Sequence, residues 1–398
     1  MNMWLHGKAE LDVWEFESAH VTTPRTHVVP GLTAAGKLRK GIKQRHRVDV
    51  GPVKMMAALA RSGATLSPDA TVGFWRAAGA AARFQEACTR SGRNMVATAG
   101  LIGHLRDSTR TALAGDLGQA FTWLLAVEHF KNTAVVDFGR GCSLLSPAVP
   151  GPGLGDKRPD FMASSVPWTK IALFESKGTI QTSLDEVQWR DGLAGGLEQT
   201  RSGDTWLTAH GQAGVVSQQL AVSFALVEQP CSAAAFADPE DPTPGELPAS
   251  SRLALVRTHF GAWAAAGGGV ALAERLWHPE VAASVLEESI APLPTVVLRN
   301  RPMRLLMPDE PLGGSPALWF PFFPYPLYAP TLHLVDEAVL RAVVAGELDL
   351  IAESIDAFRR AFEEPGEEDA EGARERATFA DGTVYTSEFD PELSFRAQ

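Results

Sequence analysis

The chain has 398 residues, of which 45% are hydrophobic and 21% charged, and a formal net charge of −11. That length allows two or three domains, and that balance fits a soluble globular protein with sizeable cores. Residues 1–8 show no basic stretch followed by an apolar block, and no run approaches the roughly 18 apolar residues of a membrane helix. Cys88, Cys142 and Cys231 are far apart with no C-x-x-C pair, which sets aside a disulfide framework and a cysteine zinc site and fits a reducing cytoplasm.

The net charge alone argues against nucleic-acid binding, but the charge is unevenly spread. From Ile351 to the end there are 13 acidic and 5 basic residues, a balance of −8. By contrast, Lys37, Arg39, Lys40, Lys43, Arg45 and Arg47, with His46, fall in one stretch without an acid. Such a segment can neutralise phosphates, and equally it can be a solvated loop or helix face. The acidic tail is a candidate to compete with phosphates for it.

In chain order, residues 1–110 read as a mixed or mainly helical N-terminal region, with alanine-rich helical spacing at 53–61 and 72–90. A core region, 111–232, follows. Asp116–Lys131 reads as a helix with an acid near its start. Ala134–Phe138 reads as a short strand, and 147–155 as a Pro/Gly-rich connection. Arg158–Ala163 and Lys170–Ser176 read as two strands around a turn. Leu184–Thr200 has helical spacing, and Leu220–Glu228 is an apolar strand. The expected order is α-β-β-β-α-β.

The C-terminal region, 233–398, opens on a linker at 237–251 dense in Pro, Asp and Glu. Helices are expected at 253–276, 335–345 and 348–363, with a strand at 295–298. Proline alternates with aromatics at 319–330, a stretch suited to core packing, a contact surface or base stacking. An acidic, flexible run is expected at 363–375. Asp381-Gly382 signals a terminal hairpin.

Chemistry concentrates at Lys177. Of the nine lysines, only Lys177 has an acidic residue two places before it, in Phe174-Glu175-Ser176-Lys177-Gly178. Residues i and i+2 of a strand share a face, so Glu175 and Lys177 project together and the Ser176 carbonyl remains available. Asp160, in Pro159-Asp160, starts the strand expected to pair alongside. Two close carboxylates repel unless a cation sits between them. Oxygen ligands of this kind suit Mg²⁺ or Mn²⁺. A nearby ammonium can orient a water or stabilise charge on a phosphate. The bland alternative is an edge hairpin bearing a surface Glu–Lys pair of little energetic weight. Against it, both charges close an apolar run, Ile171–Phe174, that reads as a central strand.

With Pro159-Asp160, Glu175-x-Lys177 and the αβββαβ order, residues 115–228 resemble the PD-(D/E)xK nuclease superfamily, the restriction-endonuclease-like fold. The resemblance implies an α/β protein with that core between mainly helical flanks. It implies metal-dependent hydrolysis of phosphodiester bonds in nucleic acid, DNA favoured over RNA, as in restriction or phage defence. Asp160 and Glu175 would bind Mg²⁺ or Mn²⁺ with the Ser176 carbonyl, and Lys177 would assist the attacking water. Many members carry a glutamate on the helix before the core strands. Gln119 occupies that place here, and Glu128, nine residues on, lies near the opposite face. Some members place a glutamine on the later helix. Gln188 and Gln199, 11 residues apart, share a face and are candidates for phosphate contact, or for a solvated surface.

A catalytically silent nuclease-like subunit that binds nucleic acid or scaffolds a partner is the alternative. A homo-oligomer or a partner subunit fits either reading, and no membrane role is expected. His104, His129 and His210 lack metal-ligand spacing. Gly267-Gly268-Gly269 is no P-loop, and no G-x-S-x-G occurs.

Overall fold

The computed structural model describes residues 8–16, 42–149, 151–152, 157–184, 186–229, 231–237, 245–306, 331–363, 376–387 and 393–395. The chain opens with strands β1 (Ala9–Phe16) and β2 (Ile42–Val50), helices α1 (Pro52–Thr65) and α2 (Ala70–Ala87), and hairpin β3 (Cys88–Ser91) and β4 (Asn94–Ala97). A single turn, α3 (Leu101–His104), leads into the long helix α4 (Asp107–Glu128). Then come β5 (Ala134–Asp137), α5 (Phe138–Leu145), β6 (Phe161–Ser164), β7 (Ile171–Gln181), α6 (Glu186–Ala209), β8 (Val216–Val227) and β9 (Ala233–Ala237). The remainder holds α7 (Ala249–Ala266), α8 (Val270–Trp277), α9 (Ala283–Ile290), β10 (Thr295–Leu298), β11 (Arg301–Leu306) and β12 (Thr331–Asp336). It ends with α10 (Glu337–Ala345), α11 (Leu348–Glu363), β13 (Ala377–Thr378), β14 (Thr383–Ser387) and β15 (Leu393–Phe395).

The protein is mixed α/β, with two sheets among the described residues. The first has nine strands in the order β3-β4-β1-β9-β8-β7-β6-β5, with β2 added beside β1. β5, β6 and β7 run antiparallel in succession, while β8 runs parallel to β7 after the α6 crossover. The second has six strands, β13-β14-β12-β11-β10-β15.

Composition explains the central strands. Ile171–Phe174 of β7 and Leu220–Val227 of β8 are buried without interruption, as strands covered on both faces are. Helix α4 buries residues around most of its circumference, from Leu113 to Val127. A helix apolar all round belongs inside a protein.

Several expectations are corrected. The flanks are rich in helix, as expected, but they also carry strands that were not expected: β1 to β4 precede the core, and a whole second sheet follows it. β1 alternates buried and half-buried residues, as a strand with one covered face does. β9, Ala-Ala-Ala-Phe-Ala, falls where the sequence predicts no element and ends on Ala237, the expected start of the linker, yet it lies fully buried between β8 and β1. Its small side chains suit a strand sandwiched on both sides, where tertiary context overrides propensity. The basic segment is neither loop nor helix from residue 42 onward, where β2 pairs with β1. The helix expected at 253–276 divides at Gly267–Gly269, where Gly268 takes a φ of +90°. Residues 331–336 form a strand, and α10 starts only after Asp336 caps the amides of Ala338 and Val339. The terminal hairpin forms as expected, with Gly382 at φ +90° in its turn. The stretches 319–330 and 364–375 lie outside the described residues.

Candidate active site

The site is assembled by the pairing of β6 with β7. Phe161 sits opposite Phe174, and one step further out sets Asp160 across from Glu175. Asp160 is a bend residue just before β6, not the first residue of the strand. Its backbone amide favours the charged form of the Glu175 carboxylate. Its own Oδ2 accepts from the Ser176 N–H at 2.9 Å and from the Ser176 hydroxyl. The Gln119 side chain, on α4, faces the same carboxylate and favours its charged form.

Glu175 and Lys177 share a face of β7, and Lys177 Nζ donates to Glu175 Oε1. The ammonium also donates to Gln199 Oε1 at 2.5 Å, and Gln199 Nε2 donates to the Arg158 carbonyl at 3.0 Å. One glutamine of α6 thus ties the lysine to the loop that carries Asp160. Glu175 is only 3% exposed, and its second oxygen, Oε2, is buried with no hydrogen-bond partner. Burial, reinforced by the charge of Asp160, pushes the Glu175 carboxyl up to about 8 despite Lys177. Burial also raises Asp160, against the hydrogen bonds from Ser176 and the charge of Lys177.

Close helix–strand contacts fix this geometry. α4 crosses β7 at Gly118 and Gly178, where a Cβ on Gly118 would stand 2.9 Å from the Gly178 Cα. α6 lies against β8 and β7 through Gly196, whose Cβ would stand 2.8 Å from that of Ala221 and 3.4 Å from the Glu175 Cγ.

Asp160, Gln119 and Gln199 line a cavity of about 590 Å³. Its other polar lining includes Arg76 and Arg83 of α2, Asp116 of α4, Asp137 at the end of β5, and Arg158. The sequence reading missed these five as site residues, although Asp137 follows an apolar run, Ala134–Val136, as Glu175 follows Ile171–Phe174. Asp137 caps α5 by accepting from the Arg140 N–H at 2.7 Å, and burial raises its carboxyl.

The site brings together Asp160, Glu175, Ser176, Lys177, Gln119 and Gln199. Ser176 enters it through its amide and hydroxyl. Glu128 is elsewhere, paired with Lys54 at 2.9 Å. Gln188 falls in the first turn of α6, and its side chain lies outside the described residues. Lys37, Arg39 and Lys40 lie outside them entirely. Lys43, Arg45 and Arg47 belong to β2, Arg47 opposite Asp12 and Arg45 opposite Trp14, with side chains likewise outside. His210 bonds the Trp206 carbonyl, and His129 packs on Phe130 and Phe236.

The donors around Asp160 and Glu175 are all oxygen, the set a hard divalent cation takes. The partnerless Oε2 and the two carboxyls raised by burial, Glu175 also by the charge of Asp160, are what a cation between them would satisfy. Among the described residues no group of three His, Cys, Asp or Glu is disposed to hold a metal, so a cation here would rest on two carboxylates with amide and backbone oxygens. No family model matches the chain, and neither a curated protein nor a solved structure matches it.

Proposed function

We propose that this chain is a metal-dependent nuclease that hydrolyses phosphodiester bonds in nucleic acid, with DNA favoured over RNA. The observation that carries the reading is the coupled set at the β6–β7 pairing. Lys177 bridges Glu175 and Gln199, while Asp160 stands beside them just before the neighbouring strand, with Oε2 of Glu175 left over. The arrangement α4-β5-β6-β7-α6-β8 supports a restriction-endonuclease-like core, because β5–β7 are antiparallel and β8 is parallel to β7. The helix α5 is an addition between β5 and β6.

Asp160 and Glu175 would hold Mg²⁺ or Mn²⁺ with the Ser176 carbonyl and the Gln119 oxygen. Such an ion polarises a phosphate oxygen and lowers the pKa of a bound water. The chain's own part is positional and electrostatic. Lys177 offers N–H donors to a water or a phosphate oxygen, and Gln199 fixes where that ammonium sits. Ser176 and Gln119 orient the Asp160 carboxylate. Restriction or phage defence in the cytoplasm is the setting this class suggests.

The second reading is a silent nuclease-like subunit that binds nucleic acid or scaffolds a partner. It is favoured by an amide, Gln119, standing where an acid would complete the metal site. Cleavage of varied DNA and RNA in Mg²⁺ and Mn²⁺ separates the two. Wild-type cleavage lost by at least about 10²-fold in Lys177→Ala and in Asp160→Ala supports the enzyme. Wild-type inactivity on every substrate, with no metal binding by calorimetry, leaves the silent subunit.

A further inference from the structure

The cavity beside Asp160 carries three arginines from outside the motif: Arg76, Arg83 and Arg158. Arg76 and Arg83 are seven residues apart on α2, about two turns, so they face the same side. That interval is roughly 10 Å of axial rise, the length of about three nucleotide steps at about 3.4 Å each. Arg158 immediately precedes Pro159-Asp160, and its carbonyl is held by the glutamine that holds Lys177. Asp160 thus shares its cavity with guanidiniums from α2 and from the approach to β6.

Each guanidinium is anchored but retains donors. Arg83 pairs with Asp116 at 3.1 Å and donates to the Arg76 carbonyl at 2.8 Å, while its buried Nε–H has no acceptor. Arg76 donates to the Leu66 carbonyl at 3.2 Å, and Arg158 to the Pro152 carbonyl at 3.0 Å. A guanidinium has five N–H donors in a fork that fits two phosphate oxygens. A buried donor without an acceptor calls for a partner. The need is also electrostatic. Asp116, Asp137 and Asp160 line the same cavity and would repel a polyanion unless cations offset them.

We propose that Arg76, Arg83 and Arg158 seat the phosphates flanking the scissile bond, so that the substrate strand runs between α2 and the loop before β6. This rests on the nuclease reading of Asp160, Glu175 and Lys177.

The test uses the full chain and a fluorescein-labelled mixed-sequence DNA duplex. Affinity is titrated over a range of NaCl on an Asp160→Asn background, and steady-state cleavage is measured with Asp160 intact. Arg76→Ala and Arg76→Ala/Arg83→Ala are compared with their parents. The slope of log affinity against log salt should fall by about 0.9 per arginine removed. KM should rise by roughly tenfold or more per site while kcat changes less. Arg76→Lys should restore the slope but not the full affinity, since lysine lacks the fork. Arg76 is exposed, so its single variant stays folded and readable even where loss of the Arg83–Asp116 pair unsettles the double variant. An unchanged slope and KM in Arg76→Ala, with parents that bind and cleave, overturns the phosphate seat alone. Parents that neither bind nor cleave overturn the nuclease reading and the seat with it.

Discussion

Glu175 stands where a carboxylate is costly to keep ionised, 3% exposed and beside a second acid. Its carboxyl rises from the usual range near 4.5 to about 8 in the folded chain. Between those values the folded state holds a proton that the unfolded state has released. Stability is therefore highest on the acid side and falls as pH rises through the window. Asp160 and Asp137 are raised by burial too, and act in the same direction. In chelator-treated protein, thermal stability should drop between about pH 5 and pH 8 by on the order of 3 kcal/mol, and Glu175→Gln should flatten much of that drop. Parallel melting-temperature profiles for the two chains would remove Glu175 as the cause. Glu175 and Lys177 were legible in sequence because strand periodicity alone puts them on one face. Gln199 was legible only as one of two glutamines on a helical face, since periodicity does not tell which turn lies over the site. Arg76 and Arg83 were hidden, because they reach the cavity only through the packing of α2 on α1 and α7.

At the scale of elements, the order through the core was readable apart from α5, because each of the other segments carries its own pattern. The boundaries were less so. β7 runs on to Gln181, five residues past the expected end, because β8 supplies pairing partners as far as Val227. That extension carries Gly178 under α4, where the two backbones nearly touch. A methyl on Gly178 would run into the Ala114 carbonyl, which belongs to the helix backbone and has no side chain to swing away. Gly178→Ala must therefore lift α4 from β7, at a cost of about 3 kcal/mol. Because α4 carries Gln119 and β7 carries Lys177, cleavage should fall further than the loss of folded protein explains. The control is Gly115→Ala on the same helix, where an added Cβ meets nothing within 4 Å. Melting and activity assays on both variants check this; equal behaviour of the two would mean that the crossing does not set the site.

At the scale of the molecule, the two sheets share one core: a single apolar cluster runs from Ala9 and Val135 of the first sheet to Tyr385 of the second. A buried polar network pins that junction. Asp381, in the β13–β14 turn, accepts from Arg61 of α1 at 3.1 Å and faces Nε2 of His259 on α7 at 2.7 Å. The other ring nitrogen of His259 accepts from the Val135 N–H of β5 at 3.1 Å, so a neutral ring donating to Asp381 satisfies both ends. Burial holds His259 below its ordinary range, while the Arg61 charge and the His259 contact hold Asp381 well below the carboxylate range. Both depressed values make the unfolded chain the better proton acceptor in acid, so the network's stability is lost as pH falls below about 6.5 for His259 and below about 4 for Asp381. Removing one partner strands the others in the dry interior. Asp381→Ala should cost about 3–5 kcal/mol, because Arg61 would keep its charge with no anion beside it. Arg61→Met/Asp381→Ala should recover part of that loss, since no uncompensated charge remains. If the network couples the sheets, the damage does not stop at the hairpin. Hydrogen exchange at Val135, whose amide rests on His259, should accelerate in Asp381→Ala together with exchange in β14. Unfolding should remain a single transition at lower temperature. Loss of protection confined to β13 and β14, with Val135 unchanged, would show instead that the second sheet docks on the first without holding it.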